Sequence, residues 1–319
     1  MTQARHLSLD LQTIAAEQGL SLQVPPLEDA VLRPGKANQL LVFPGSFNPP
    51  HRGHEALLEH VLVSDGSLVG AIVIPTDDEK LASKNRHDGR PLLLSKEQRV
   101  ALWRGSEFVS RDRRVWIFDG SEAVWAVFRD RLRRRLSRFD VRFVLLTGPD
   151  LVTSRCIVDP GSWMCVDSIT SDVSRRADFR SQCSLRQLPG CTPWEPCSSS
   201  SDEGSSVSAS VDYDPLGYPL VSAAALWQCQ TSRKPLRRYR FAASSSPGTE
   251  HAPSSTEIRR VIASFDGIQL ERELERLAIN PLLLLRLARQ GGPYSAPVVR
   301  DRGRDHQSRK AKVDEQANW

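Results

Sequence analysis

The sequence predicts an α/β protein in which a parallel sheet carries helices on both faces. Short apolar runs, several of them rich in β-branched residues, alternate along the chain with segments of helical periodicity. Glycine, proline and polar residues follow several of these runs, where the predicted strands end. Strands that alternate with helices favour right-handed crossovers and a parallel sheet. In such folds a ligand lies beyond the carboxyl ends of the strands.

The predicted strands are the apolar runs, which lie at residues 40–44, 69–75, 114–118, 141–147, 163–170 and 236–243. Helices are predicted at residues 55–63 and 122–139, and from Ser95 and Pro253 onward. The inward side of the helix at 122–139 is expected to carry Val124, Val127, Phe128 and Leu132, with a dense arginine face outward. The stretch 76–90 is polar and basic, which predicts a loop.

One domain is expected at residues 38–290, after an N-terminal extension at 1–37 that includes a short amphipathic helix. A flexible charged tail is expected at 291–319. Residues 183–219 are rich in serine, proline and glycine, and the serine run at 198–206 is expected to be disordered. We interpret 183–219 as a low-complexity insertion within the domain, because motif residues lie on both sides of it.

The composition indicates which classes of protein the chain can belong to. The chain has 319 residues, 39% hydrophobic and 25% charged, which suits a globular protein with a substantial core. Its net charge of +5 suits an anionic ligand but is too small to indicate nucleic-acid binding. Neither a membrane span nor a secretory signal is evident, so we expect a cytoplasmic protein, with the nucleus as the alternative location.

The six cysteines contain no C-x-x-C pair, so free thiols are expected. Cys183, Cys191 and Cys197 are spaced unlike the ligands of common zinc sites, and no protein metal site is expected.

The first motif lies where the strand at 40–44 leads into the next helix. It reads Gly45-Ser46-Phe47-Asn48-Pro49-Pro50-His51-Arg52-Gly53-His54. Gly45 has no Cβ, so a bulky ligand is expected to approach its backbone closely. His51 and His54 are expected at the start of the helix, where unpaired N–H groups and the dipole favour an anion. The alternative is a plain strand-to-helix turn with two surface histidines.

This motif resembles the G-x-F-x-P-x-H-x-G-H signature of the nucleotidyltransferase superfamily, whose fold is Rossmann-like. Its Gly-Ser-Phe-Asn-Pro form is similar to that of the nicotinamide and nicotinate mononucleotide adenylyltransferases. The resemblance implies an α/β, Rossmann-like nucleotidyltransferase domain. It also implies nucleotide contacts at Gly45, Ser46 and Phe47, and phosphate contacts at His51 and His54. The resemblance extends from about residue 40 to residue 262 and is weakest in the middle.

The second motif is a helix start with hydroxyl residues and an arginine one turn later, Ser254-Ser255-Thr256-Glu257-Ile258-Arg259. Hydroxyls, free N–H groups and a guanidinium are expected to face the same space. An ordinary helix cap is the alternative interpretation. The run resembles the I-S-S-T-x-I-R motif of the same superfamily, with Pro253 in place of the first isoleucine. The resemblance implies that Ser255, Thr256 and Arg259 contact phosphates.

The resemblance also assigns residues between the two motifs. Lys84 matches the lysine of a loop that reaches the ATP phosphates, and Lys80 is the second choice. Gly148-Pro149-Asp150 is similar to the family's G-x-D, whose acid contacts ribose hydroxyls; a plain turn is the alternative. A solvated surface loop is the alternative for the lysines.

Three further assignments are less specific. Arg175 or Arg176 is a candidate for an arginine near the phosphate of the pyridine nucleotide. Phe118 lies where the family often carries a tryptophan beside the nicotinamide ring, although a core phenylalanine is the more frequent finding. The run from Glu97 to Val100 resembles the family's H-R-V helix.

The implied reaction is adenylyl transfer from ATP to nicotinamide or nicotinate mononucleotide, with release of pyrophosphate, in NAD biosynthesis. His51, His54, Lys84 and Arg259 would bind the phosphates, and Mg²⁺ would accompany ATP. Two other functions stay open: a cytidylyltransferase-like enzyme using CTP and a phospho-alcohol, and a nucleotide-binding regulatory protein with little transferase activity. The sequence does not indicate the pyridine base or the oligomeric state.

Overall fold

The computed structural model describes residues 4–18, 27–153, 157–181, 184–197, 216–217, 219–220, 226–248 and 252–298. The strands in chain order are β1 (Arg5–His6), β2 (Val31–Leu32), β3 (Ala37–Gly45), β4 (Leu68–Pro75), β5 (Val115–Ile117), β6 (Asp140–Leu146), β7 (Asp167–Ser171), β8 (Glu195–Pro196), β9 (Leu226–Gln230) and β10 (Arg238–Ala242). The helices are α1 (Leu7–Glu17), α2 (Arg52–Ser64), α3 (Asp78–Asn85), α4 (Lys96–Arg104), α5 (Glu107–Arg111), α6 (Glu122–Arg135), α7 (Ser255–Ser264), α8 (Gly267–Leu277) and α9 (Pro281–Gly291).

The main sheet has the strand order β5-β4-β3-β6-β7-β10-β9-β8. The strands from β5 to β10 in this order are parallel, whereas β9 and β8 pair antiparallel at one edge. The chain moves outward in one direction from β3 through β4 to β5, and then in the other from β6, which pairs with the opposite side of β3. This is the doubly wound arrangement, and its switch point lies between β3 and β6. The predicted α/β Rossmann-like fold is confirmed.

Helices cover both faces of the sheet because alternate strand residues are apolar on each side. On one face, Leu40 and Val42 of β3 pack with apolar side chains of α1 and α6. On the other face, Leu41 and Phe43 pack with side chains of α2 and with Trp103 of α4. The two side-chain sets are fully or nearly fully buried. The sheet is therefore a rigid base for the loops at its carboxyl edge.

Helices α7, α8 and α9 form a further layer that packs against α4 and the segment before it. Its core joins Ile258 of α7 and Leu274 of α8 to Leu284 of α9, and these pack with Leu92 and Leu94. The layer holds the start of α7 next to the loop between β3 and α2, where an isolated bridge joins His51 and Ala278.

Several predicted elements differ from the observed ones. Residues 78–85 form α3 rather than a loop: Asp78 and Glu79 lie in its first turn and Lys84 in its last, which suits the helix dipole. On α6, Val127 is exposed, whereas Trp125 and Arg129 are buried. The inward side of α6 is therefore rotated from the predicted one, because its aromatic side chains take the sheet-facing positions.

The strand predicted at 163–170 begins only at Asp167. Before it, Pro160–Trp163 form a 3-10 turn that ends at Met164, whose φ of 54° is left-handed and interrupts the extended chain. The helices α8 and α9 were not predicted. Both carry apolar residues at helical spacing, for example Leu270, Leu274 and Leu277.

The predicted insertion and tail are each partly described. Residues 184–197 lie within the range predicted as low-complexity, and they include β8 at the sheet edge. The serine run at 198–206 and Cys183 lie outside the described residues. Residues 292–298, the first part of the predicted flexible tail, are described and pack against residues 88–90. In the described ranges, no helix is long and apolar enough to span a membrane.

Candidate active site at the carboxyl edge of the sheet

The loop between β3 and α2 is held from one side by the segment before α4. The buried Asn48 side chain donates to the Leu92 carbonyl oxygen at 2.8 Å and accepts from the Leu94 N–H at 3.0 Å. A buried amide that is bonded at both ends has one orientation. The Asn48-Pro49 peptide bond is cis, and the chain then runs directly to His51 at the start of α2. This loop therefore fixes the position of His51 and His54 at the start of α2.

Gly45 makes room for a side chain of this protein. A Cβ at Gly45 would lie 2.6 Å from the ring of Phe47, which is 2% exposed and adopts a φ of 45°. The Phe47 ring therefore fills the space that a Cβ would take, and the approach of a ligand to the Gly45 backbone from another side stays a prediction. That ring packs edge-on against His54, with centroids 4.9 Å apart. Any contact of Phe47 with a nucleotide is thus restricted to backbone atoms.

His51 and His54 stack on each other at the start of α2. Their ring centroids are 3.6 Å apart and the planes are inclined by 24°. The His51 N–H donates to Nδ1 of His54 at 3.3 Å. A neutral imidazole that accepts at Nδ1 carries its proton on Nε2, so His54 presents an Nε2–H donor. His51 Nδ1 is buried and has no hydrogen-bond partner among the described residues.

Both imidazoles are neutral at physiological pH. Burial, with a smaller contribution from the charge of Arg175, lowers the pKa of His51 to about 3. Burial also lowers the pKa of His54 well below its usual value, with added contributions from His51, Arg175 and Lys84. The charges of Arg175 and Lys84 therefore act on the histidines. The pair can donate N–H groups to an anion without itself carrying charge.

The second motif packs directly on the first. Ser254 caps α7 by accepting from the Glu257 N–H at 3.1 Å, as the sequence predicts. Ser255 Oγ donates to the Pro49 carbonyl oxygen at 2.8 Å, and Arg259 Nη1 donates to the Asn48 carbonyl oxygen at 2.8 Å. Thr256 is exposed beside them and its Oγ1 lies 3.5 Å from Arg259 Nη2. Two motifs about two hundred residues apart in sequence therefore meet.

The guanidinium of Arg259 is largely buried, and burial lowers its pKa, while the nearby charge of Asp88 acts in the opposite direction. Its Nε is buried and has no partner within the described part of the chain. Arginine stays charged even so, because its unperturbed pKa is far above neutrality. Arg259 is thus a fixed positive charge at the junction of the two motifs.

The two candidate lysines differ in direction. Lys84, in the last turn of α3, places Nζ 3.2 Å from Ser46 Oγ, and its charge reaches His54. Lys80 instead pairs with Glu122 at 2.6 Å. The structure therefore brings Lys84, the first choice from the sequence, to the histidine loop and directs Lys80 to the start of α6.

Gly148 and Asp150 follow β6, across the switch point from the histidines. A Cβ at Gly148 would lie 2.6 Å from Asp150 Oδ1, so glycine makes room for that carboxylate. Asp150 Oδ2 lies 3.9 Å from Arg175 Nη1. Of the two arginines that the sequence offers, Arg176 is exposed, whereas Arg175 is half-buried and faces both Asp150 and the histidines. Arg175 belongs to the candidate site.

A buried ion pair fixes the segment that carries Arg175. The Asp172 carboxylate pairs with Arg180 and accepts from the Ser244 N–H at 2.9 Å. The Asp172 carbonyl oxygen accepts from the Gly248 N–H at 2.6 Å, and a Cβ at Gly248 would overlap with the backbone of residues 174 and 175. The loops after β7 and β10 are thereby joined, and the second of them leads to α7.

Arg99 is a structural residue that the sequence motif does not identify as such. Its fully buried guanidinium donates to the carbonyl oxygens of Ser46 at 2.8 Å and Thr76 at 2.7 Å, and to Asp78 at 2.6 Å. These bonds tie the ends of β3 and β4 to the start of α3. Its place in the Glu97–Val100 run was the only feature of the sequence that pointed to Arg99. Its hydrogen-bond partners are apparent only from the structure.

Phe118 lies in the core. It is fully buried among Trp116, Trp125 and Phe128, with ring centroids 5.3 to 6.1 Å away. The interpretation as a core phenylalanine at a strand end is correct, and its ring is not open to a pyridine base.

When only the residues that the structure describes are considered, three of the buried polar atoms without a protein partner lie at this edge: His51 Nδ1, Arg259 Nε and Thr147 Oγ1 just after β6. Buried polar groups in proteins are normally hydrogen-bonded. Across the described ranges, no group of three His, Cys, Asp or Glu side chains is placed to hold a metal. The donors at this edge are nitrogens and hydroxyls, which suit phosphate oxygens rather than direct metal ligation.

A cleft of about 500 Å³ lies at the opposite edge of the sheet, where β6, β7 and β10 begin. Its charged residues are mostly paired with one another, for example Arg142 with Asp140 and Arg238 with Asp167. It contains none of the motif residues.

No protein-family model and no curated protein matches the chain. Among solved structures, the chain is similar to a candidate nicotinate-nucleotide adenylyltransferase from Vibrio parahaemolyticus, with 15% identity and a TM-score of 0.25, over 36% of this chain and 63% of that one. The chain thus spans less than two thirds of that protein. It is also similar to the Plasmodium falciparum nicotinic acid mononucleotide adenylyltransferase complexed with NaAD, with 12% identity and a TM-score of 0.41, over 79% of this chain and 98% of that one.

Proposed function

We propose that this protein is a nucleotidyltransferase that moves AMP from ATP to nicotinate or nicotinamide mononucleotide and releases pyrophosphate. One observation carries the proposal: the histidine loop and the start of α7 meet through the Ser255–Pro49 and Arg259–Asn48 contacts. Lys84 and Arg175 face the same histidines. Neutral donors and fixed cations thus converge at the switch point, where doubly wound folds bind nucleotides.

The reaction joins the 5′-phosphate of the mononucleotide to the α-phosphorus of ATP as the bond to pyrophosphate breaks. Catalysis of this kind depends on positioning and on stabilising charge that moves onto the leaving group. His54 Nε2–H is proposed to donate to an α-phosphate oxygen, and the stacked His51 to a neighbouring phosphate oxygen. Both are neutral, so each would donate through an N–H without adding charge to the site.

Three cations are proposed to bind the remaining phosphate charge. Lys84 and Arg259 would hold the β- and γ-phosphates, with Ser255 and Thr256 as neutral donors at the start of α7. Arg175 would hold the phosphate of the incoming mononucleotide, and Asp150 would accept from ribose hydroxyls. Magnesium held by the ATP phosphates would neutralise part of the charge on the departing pyrophosphate.

Pyrophosphate release should be measured with ATP and each pyridine mononucleotide, and in parallel with CTP and a phospho-alcohol. We expect release with ATP and one or both mononucleotides. Release only with CTP and a phospho-alcohol would favour the cytidylyltransferase alternative, and ATP binding without release would favour a regulatory protein.

The variant His54→Ala tests the residue assignment. We expect turnover to fall by about two to four orders of magnitude, because a phosphate donor is lost from the site. Circular dichroism should stay close to that of the unmodified protein, whereas the unfolding midpoint should fall modestly, because the variant loses the ring contact with Phe47 and the bond from the His51 N–H. Near-normal turnover in this variant would refute the assignment.

A further inference from the structure

The chain after α9 returns to the candidate site. We call residues 292–298 the C-terminal strap. Ser295 is bonded to Arg90 twice: its N–H donates to the Arg90 carbonyl oxygen at 2.9 Å, and its Oγ accepts from the Arg90 N–H at 3.1 Å. The Val298 N–H donates to Asp88 Oδ1 at 3.2 Å. The strap is therefore hydrogen-bonded to residues 88–90 at three points, one of them between backbone atoms.

The fit between strap and loop is close at Gly89. A Cβ at Gly89 would lie 3.1 Å from Ser295 Oγ and 3.6 Å from Ser295 Cβ. Pro297 is buried and Tyr294 packs against the core of the α7–α9 layer. The strap is thus anchored at both ends of the pairing.

The segment that the strap holds also supports the site. Two residues beyond Arg90, Leu92 accepts from Asn48, and Leu94 donates to the same side chain. Asn48 in turn accepts from Arg259 through its carbonyl oxygen. Asp88, which the strap bonds, is the buried carboxylate whose charge acts on Arg259. The strap is therefore connected to Arg259 in two ways: through residues 92–94 and Asn48, and through Asp88.

We propose that the C-terminal strap positions Arg259 and the histidine loop through residues 88–94, so that Ser295 and Asp88 are positioning residues for nucleotide binding. The identity of the ligand in this proposal rests on the proposed function. The structural link from the strap to Arg259 does not depend on it. A strap of this kind changes affinity for the nucleotide more than the rate of the chemical step, because neither residue contacts the reacting atoms.

The test uses the full-length chain with Ser295→Ala, and with Ser295→Thr, which keeps the hydroxyl. The control is Ser264→Ala, at the exposed end of α7. Binding of a non-hydrolysable ATP analogue is measured by calorimetry, and KM for ATP and kcat are measured with the pyridine mononucleotides. We expect Ser295→Ala to raise the dissociation constant and KM by about 3- to 10-fold with kcat within about twofold. Ser295→Thr should restore both.

Hydrogen exchange separates this proposal from the proposed function, because it needs no ligand. Ser295→Ala should speed exchange of amides at residues 88–94 and 256–260 relative to the control. Unchanged exchange at 256–260 would overturn the positioning role, whether or not the protein transfers AMP. A lowered unfolding midpoint with unchanged dissociation constant would overturn it as well, since the strap would then act on stability alone. If the unmodified protein binds no ATP analogue, the proposed function fails, and the exchange result still decides the link from strap to Arg259.

Discussion

Arg259 on α7 donates to the carbonyl oxygen of Asn48, a residue 211 positions earlier in the chain. The bond fixes a cation against the loop that carries both histidines. Because the acceptor is a backbone oxygen with one direction, the guanidinium is held in a single orientation. A shared phosphate site depends on this relationship.

Arg259→Lys should lower kcat/KM by about 10- to 1,000-fold, because lysine keeps the charge but cannot reproduce the planar fork. Steady-state kinetics with ATP and the preferred mononucleotide measure the change. Arg260→Ala is the matched control, since Arg260 is the next residue of the same helix and is exposed. Equal losses in both variants would show that α7 tolerates no change, and would contradict a specific role for Arg259.

Lys84 and Lys80 lie one turn apart on α3 and offer a second matched pair. Lys84→Ala should lower kcat/KM by about 100-fold, because a cation beside His54 is lost. Lys80→Ala should leave activity within about twofold and stability within about 1 kcal/mol, since its ion pair with Glu122 is largely solvent-exposed at the lysine. The reverse ranking of the two variants would mean that Lys80, the second choice from the sequence, binds the phosphates.

Gly248 sets the position of Arg175. Gly248→Ala would push a Cβ into the backbone of residues 174 and 175, so the Arg175 segment has to move. A displacement of about 1 Å at a positioning residue can cost about 100-fold in rate, and we expect kcat/KM to fall by 10- to 100-fold. Kinetics and the unfolding midpoint should be compared with Gly66→Ala, because a Cβ at Gly66 meets nothing within 4 Å. Unaltered activity in Gly248→Ala would remove Arg175 from the site.

The fold could be predicted from the sequence because β3, β4 and β6 are apolar runs and several helices carry local start signals. Ser95, for example, caps α4 together with Gln98, as its spacing predicts. α3 was missed because its apolar face is small: only Leu81 and Asn85 are buried. The remaining signal was the placement of acidic residues in its first turn and of Lys84 in its last turn, which suits the helix dipole. The same charges are also common in an ordinary polar loop.

The candidate site could be predicted in its residue types but not in its geometry. The motifs identify His54 and Arg259, yet nothing local shows that α7 packs on the Asn48 loop. Similarly, Gly45 suggests an open backbone, whereas the left-handed Phe47 folds its ring into that space. Arg175 and Arg176 are adjacent and equivalent in sequence, and only the structure shows that Arg175 is half-buried and lies near Asp150. Contacts between distant segments decide each of these points.

The buried imidazole of His51 makes stability depend on pH. Its pKa is about 3 in the folded protein and near its ordinary 6.5 when unfolded, so between these values the unfolded chain binds more protons. The contribution to stability is therefore complete above about pH 6.5 and is lost as the pH falls toward 3, with a slope of at most about 1.4 kcal/mol per pH unit. His51→Gln should reduce the slope of the unfolding free energy in this window, measured by urea denaturation at about pH 4, 5, 6 and 7. His87→Gln, at an exposed site, is the control. A slope that is the same in His51→Gln and in the unmodified protein would mean that His51 is not held neutral by burial, and the neutral-donor mechanism would lose its basis.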